Sequence, residues 1–250
     1  MSDRLTGKTT LVTGAGSGIG YSVASRFARE GATVIFSDRD LPAAQRAAAE
    51  FETAIAVEMD ISSEESVTAA FAEVDAQGMA VDVVVANAGV QLFGQDSKIA
   101  DLSLETWKRT IDINLTGTFL TVKHAVRAML GRGGSIILTG SPTGLNGEGA
   151  DFTAYSSSKA GIHGLARTVA AAYARDAIRV NTVVPGYTET PLVTAISGDP
   201  ESRAAIVSRI PIGRPGTAAD VEGIMVFLAS DESSYATGSL FRIDGGMTTL

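Results

Sequence analysis

Short apolar runs alternate along this chain with longer amphipathic stretches, and no other feature narrows its possible folds so far. The runs at 9–13, 33–37, 55–58, 81–86, 134–139, 179–184 and 240–243 read as strands, and most are apolar at consecutive rather than alternate positions. That pattern belongs to strands covered on both faces. Helical periodicity fills the intervals at 18–30, 41–51, 64–77, 104–130, 155–174 and 218–228. Ser103 with Glu105, and Thr217 with Asp220, mark two of the helix starts. Strand, crossover and strand repeated in this way build a parallel sheet with helices above and below. The expectation is an α/β fold: a doubly wound three-layer sandwich with a parallel sheet of about seven strands, spanning 1–250 as one domain.

The net charge of −8 and a pI near 4.8 disfavour phosphate backbones, and no basic stripe offsets them, so nucleic acid is not expected as a partner. The absence of cysteine removes disulfides and thiolate chemistry together. His124 and His163 fall in different helices with no acid spaced to join them, so no metal site is expected. The first eight residues lack the apolar core of a signal peptide and no apolar run reaches membrane-spanning length, which leaves a cytoplasmic location with no membrane partner as the expectation.

The first strand runs into Thr13-Gly14-Ala15-Gly16-Ser17-Gly18-Ile19-Gly20 and then into a helix. Glycines at such a turn let backbone amides approach a pyrophosphate, and the helix start adds a partial positive charge. A tight turn with close helix-strand packing is the simpler alternative. Eighteen residues beyond Gly20, the second strand ends at Asp38, where a carboxylate can accept hydrogen bonds from ribose hydroxyls and repel a 2′-phosphate. NAD is therefore favoured over NADP, and Ser17 adds no cation to reverse the choice. Arg39 could stack on adenine, pair with Asp40 or reach a 2′-phosphate. Asp60-Ile61 and Asn87-Ala88-Gly89 end the third and fourth strands, where open α/β sheets bind ligands, although both could be plain turn chemistry.

Tyr155 and Lys159 stand four residues apart, hence on one helix face. A free tyrosine titrates near 10, and bringing it near neutrality takes roughly 4 kcal/mol, within reach of a nearby ammonium plus a nicotinamide ring charge. Alone, this spacing is far more often that of a helix-surface pair. Ser141, 14 residues before Tyr155, could hold a substrate oxygen near the phenol or make an ordinary turn into Pro142. Asn114 is out of place by propensity inside its helix, and such misfits tend to mark functional positions.

As a set, the Thr13-Gly14-x-x-x-Gly18-x-Gly20 loop, Asn87-Ala88-Gly89, Asn114, Ser141, Tyr155 with Lys159, Pro185-Gly186 and Asp244-Gly245-Gly246 resemble the short-chain dehydrogenase/reductase family over essentially the whole chain. The resemblance implies a Rossmann-type fold with NAD(P) across the strand ends. It implies Tyr155 as acid/base in exchanging a hydride between nicotinamide and a small secondary alcohol or ketone (polyol, sugar or cyclic alcohol). Lys159 would lower the phenol's pKa and bind the nicotinamide ribose, Ser141 would orient the carbonyl, and Asn114 would order a water in a proton relay. It further implies Thr188 at the carboxamide, Ile19 near the phosphates, and a homotetramer or homodimer packed through the long helices. Three departures bear on substrate rather than chemistry: Ala86 where many relatives carry Asn, Gly140 where many carry a second serine, and a stretch at 91–101 a few residues longer than is common. Two other readings stand beside the main one, an NADPH-dependent 3-oxoacyl-(acyl-carrier) reductase and a non-catalytic NAD-binding sensor or scaffold.

The long segment at 187–216 is expected to act as a mobile lid, mixing Leu192, Val193, Ile196 and Ile206 with Glu189, Arg203 and Arg209. Gln91, Asn146, Glu148 and Phe152 are pocket candidates by position.

Overall fold

The computed structural model describes residues 3–193 and 198–249, so Ile196 lies outside the described residues. Seven strands, β1 (Thr9–Thr13), β2 (Thr33–Asp38), β3 (Ala54–Glu58), β4 (Val83–Ala86), β5 (Gly134–Thr139), β6 (Ile178–Pro185) and β7 (Leu240–Ile243), form one sheet in the order β3-β2-β1-β4-β5-β6-β7. Every neighbouring pair is parallel. The consecutive apolar runs now have their reason. Leu11, Val84, Ile136 and Val180 point into one buried cluster, while Val12, Val83, Val85, Ile137 and Val183 point into the other. These four strands, β1, β4, β5 and β6, thus spend both faces on a core, as a sheet sandwiched between helical layers requires.

The crossovers are α1 (Gly18–Arg29), α2 (Leu41–Ala48), α3 (Glu64–Ala76), α4 (Leu104–Ile111), α5 (Gly117–Met129), α6 (Thr153–Tyr173), α7 (Pro200–Val207) and α8 (Ala218–Ala229). Val23, Phe27, Val221 and Met225 of α1 and α8 belong to one cluster; Val67, Val126 and Ile162 of α3, α5 and α6 belong to the other. None of the described helices is long and apolar enough to cross a membrane.

Two expectations are corrected. The stretch at 104–130 is not one α-helix: residues Asp112–Thr116 form a π turn between α4 and α5, an extra residue in the helical ladder of the kind found at functional positions. The segment at 187–216 is not bare loop, because it carries α7, with Asp199 as N-cap accepting the Ser202 N–H and Pro200 at the first turn. Strand order reverses between β1 and β4, which leaves a crevice at their carboxyl ends. The buried Thr13 side chain bridges its floor: Oγ1 accepts the N–H groups of Asn87 (3.0 Å) and Ala88 (2.9 Å).

Candidate active site

A cavity of about 880 Å³ runs along that crevice, from Asp38, Arg39 and Arg46 at one end to Ser141, Tyr155, Lys159 and Arg209 at the other. Gly14, Ser17, Gly18, Ile19, Asp60, Ile61, Asn87, Gly89, Pro185, Gly186 and Thr188 all line it. Gly20 and Asn114 do not, and their contribution is to what lies behind the wall.

At the first end the surface is backbone. Gly14 (φ +67°) and Gly18 (φ +57°) occupy the left-handed region that glycine alone enters freely. A Cβ on Gly20 would lie 2.1 Å from the Gly14 carbonyl oxygen, so α1 can start this close to β1 only with glycine there. Asp38 holds the turn in shape, its Oδ2 accepting the Gly16 N–H (3.0 Å) and its Oδ1 that of Asp40 (3.0 Å). No acid stands in the first turn of α1, and Ser17 makes no side-chain cap. A glycine cradle at a helix start, with a carboxylate one strand away, fits the pyrophosphate and ribose of a dinucleotide.

At the other end the surface is side chains. Ser141 stands two residues past the end of β5, and Tyr155 and Lys159 rise from the first turns of α6. Tyr155 and Lys159 are 9% and 5% exposed, so their protonation is set by burial. Burial pushes the Tyr155 phenol up to about 12, and its hydrogen bond with Ser141 pulls the other way. This differs from the expectation of a lysine-lowered phenol. Lys159 Nζ donates to the Thr139 carbonyl at 2.8 Å and lies over the Tyr155 ring, 5.6 Å from its centre. Burial draws the ammonium itself down to about 8. Ser141 Oγ also lies 3.1 Å from Thr143 Oγ1.

Asn114, at the middle of the π turn, is fully buried and its side chain is fully used. Its Oδ1 accepts the Val90 N–H (2.8 Å), while Nδ2 donates to the Val90 carbonyl (2.8 Å) and to Ser158 Oγ (3.2 Å). The misfit noted in the sequence is real, and its side chain holds the loop after β4 against α6. The Asn114 carbonyl accepts the Thr118 hydroxyl at 2.6 Å.

Gln91, Glu148 and Phe152 line the cavity with Val90, Ile206 and Met247, but Asn146 does not; it is exposed, with Nδ2 donating to Glu148 Oε1 at 3.3 Å. Glu148 and Arg209 pair across the mouth at 3.0 Å. Three contributors were not foreseen: Thr139, Ser158 and His163. The imidazole of His163 packs where a Cβ on Gly140 would stand, 2.4 Å from Nε2, so a second serine there is sterically excluded. Burial, then the charge of Lys159, pushes His163 down to about 4.

A family model described as Enoyl-(Acyl carrier protein) reductase matches residues 14–248. A cis-4-hydroxycyclohexanecarboxylate dehydrogenase of Sinomonas cyclohexanicum is 38% identical over 256 residues, covering 100% of both chains. Among solved structures, a putative gluconate dehydrogenase from Agrobacterium tumefaciens superposes with a TM-score of 0.95 at 34% identity, covering 100% of this chain and 99% of that one. A gluconate 5-dehydrogenase from Burkholderia cenocepacia J2315, in complex with NADP and tartrate, does so with a TM-score of 0.94 at 30% identity, covering 100% and 98%.

Proposed function

Because the chain belongs to the short-chain dehydrogenase/reductase family, we propose that it interconverts a small secondary alcohol and its ketone with NAD(H), Tyr155 exchanging the proton at the substrate oxygen. The observation that carries this reading is one buried cluster: a phenol hydrogen-bonded to Ser141, with an ammonium on the next turn, at the far end of a groove that begins at a glycine-rich helix start.

Gly14, Ser17, Gly18 and Ile19 would hold the pyrophosphate, Asp38 the adenosine ribose, and Asn87, Gly89, Lys159, Pro185, Gly186 and Thr188 the nicotinamide half. Bound there, the dinucleotide would supply the hydride to the ketone carbon in its reduced form and take it back from the alcohol carbon in its oxidised form. The protein's own groups keep Tyr155 protonated at neutral pH, ready to donate to a ketone oxygen. Ser141 shares that oxygen and holds it against the phenol. The Lys159 ammonium, fixed by Thr139, favours the phenolate that donation leaves. Val90, Phe152, Ile206 and Met247 give the substrate end an apolar wall, which suits a ring or short aliphatic skeleton, as in the hydroxycyclohexanecarboxylate oxidised by the relative from Sinomonas.

Asp38 supports NAD over NADP, since both its oxygens face the turn that the adenosine half would meet. Exposed Leu104, Phe119 and Leu130 on the helices that lead into and out of the π turn support assembly into a dimer or tetramer through that face, and a cytoplasmic enzyme is the reading they accompany. Nicotinamide absorbance followed with NAD and NADP across cyclic alcohols, polyols, hydroxy acids and a 3-oxoacyl thioester tests the whole. Turnover of a cyclic or polyol alcohol with NAD is expected, and Asp38→Ala should shift the cofactor ratio toward NADP by on the order of tenfold. Thioester reduction with NADPH alone would put the acyl-carrier reading in its place, and cofactor binding without turnover of any substrate the sensor reading.

A further inference from the structure

The long stretch after β4 carries a buried carboxylate whose partners lie on the helix that presents Tyr155. Asp96 is 7% exposed. Its Oδ1 accepts the N–H of Ala154 (3.0 Å) and of its neighbour Ser97 (3.0 Å), and its Oδ2 accepts the N–H of Tyr155 itself (2.9 Å). A helix start leaves four N–H groups without partners inside the helix, and a local Ser, Thr, Asp or Asn usually takes one of them. Here the N-cap is Phe152, which has no acceptor, so α6 borrows its cap from residues nearly sixty positions earlier. Two further contacts close the same joint: Thr153 Oγ1 donates to the Ser97 carbonyl at 2.7 Å, and Phe93 meets Phe152 edge-on at 5.7 Å.

We propose that Asp96 is a positioning residue for Tyr155. It sets where α6 begins, and so where the phenol stands relative to Ser141. Charged oxygens bind N–H groups more strongly than neutral ones, and the helix dipole favours an anion at this place, so the carboxylate is held without a cationic partner among the described residues. The inference rests on the reading of Tyr155 as the proton-exchanging group.

The experiment compares Asp96→Ala and Asp96→Asn with the wild type in kcat, in the Kd for NADH read by nicotinamide fluorescence, and in amide hydrogen exchange along α6. Asp96→Ala should lower kcat by on the order of tenfold or more, leave the Kd within about twofold, and speed exchange at Ala154 and Tyr155 while the middle of α6 keeps its protection. Asp96→Asn, whose amide oxygen still accepts one bond, should recover part of kcat. Unchanged kcat, unchanged exchange at the two amides, or loss of protection along the whole helix would each overturn the proposal. Should Asp96→Ala fail to fold, the asparagine variant decides by the same readings. Should the wild type turn over no alcohol, the proposed function fails, and exchange at Ala154 and Tyr155 alone then decides whether Asp96 sets the helix start.

Discussion

The two ends of the crevice solve different problems with different material. Around Gly14, Gly18 and Gly20 the functional surface is main chain, and what matters is the absence of side chains. Around Tyr155, Lys159 and Ser141 it is side chains, and what matters is the absence of water, since burial moves the phenol up and the ammonium down. The first end is a shape, set by positive φ at Gly14 and Gly18 and by the lack of room for a Cβ at Gly20. The second is an electrostatic balance and tolerates no change of charge or hydroxyl.

Removing the phenolic oxygen breaks the second end alone. Tyr155→Phe is expected to lower kcat by on the order of a thousandfold while the Kd for NADH stays within about twofold; equal losses in both would mean that the two ends are not separable. Gly20→Ala breaks the first end alone. Its Cβ would press on the Gly14 carbonyl oxygen at 2.1 Å and the Asn87 amide at 2.7 Å, so the turn must shift. Affinity for the dinucleotide should fall by on the order of tenfold, with kcat at saturating cofactor little changed.

The smallest effect sharpens the electrostatic side. Burial moves Lys159 from 10.5 to about 8, so the folded state holds this proton less tightly than the unfolded chain. The cost is full below about pH 8 and disappears as pH rises toward 10.5, which makes the wild type gain stability over that window. Lys159→Met should remove the gain and raise Tm near neutrality by roughly 2–4 °C for each net kcal/mol relieved, less whatever the lost Thr139 bond contributed. Thermal unfolding of both proteins at pH 7.5 and 9.5 measures it; a variant that melts lower at pH 7.5 would show that the hydrogen bond outweighs the burial.

Much of this was legible in the sequence because it depends on local pattern. Strand runs covered on both faces announce themselves as unbroken apolar stretches, and the observed strands begin and end within two residues of the expected ones. The glycine turn and the spacing of Tyr155 to Lys159 are likewise local. The π turn was half visible: hydrophobic periodicity does not register a shift in the hydrogen-bond ladder, but the awkward Asn114 lay at its centre. The start of α7 was legible in Asp199-Pro200, a cap followed by a first-turn proline, and was obscured by the polar composition around it. Asp96 and His163 were beyond reach, because what each does depends on a partner dozens of residues away: the start of α6 for one, Gly140 for the other. The burial of the phenol was out of reach for a related reason. The sequence shows that a cation is near, but only the packed structure shows how little water is.

The Thr13 hydroxyl has a further consequence for how molecules get in and out. By accepting both Asn87 and Ala88 it stitches β1 to the loop after β4, and Asn87 Nδ2 adds a third strand-to-strand tie at 3.1 Å to the Thr13 carbonyl. Parting the halves of the sheet would break these three bonds together with the β1–β4 ladder, so the crevice does not open like a book. The Glu148–Arg209 pair borders the same crevice without crossing the sheet, so it can part while those ties hold.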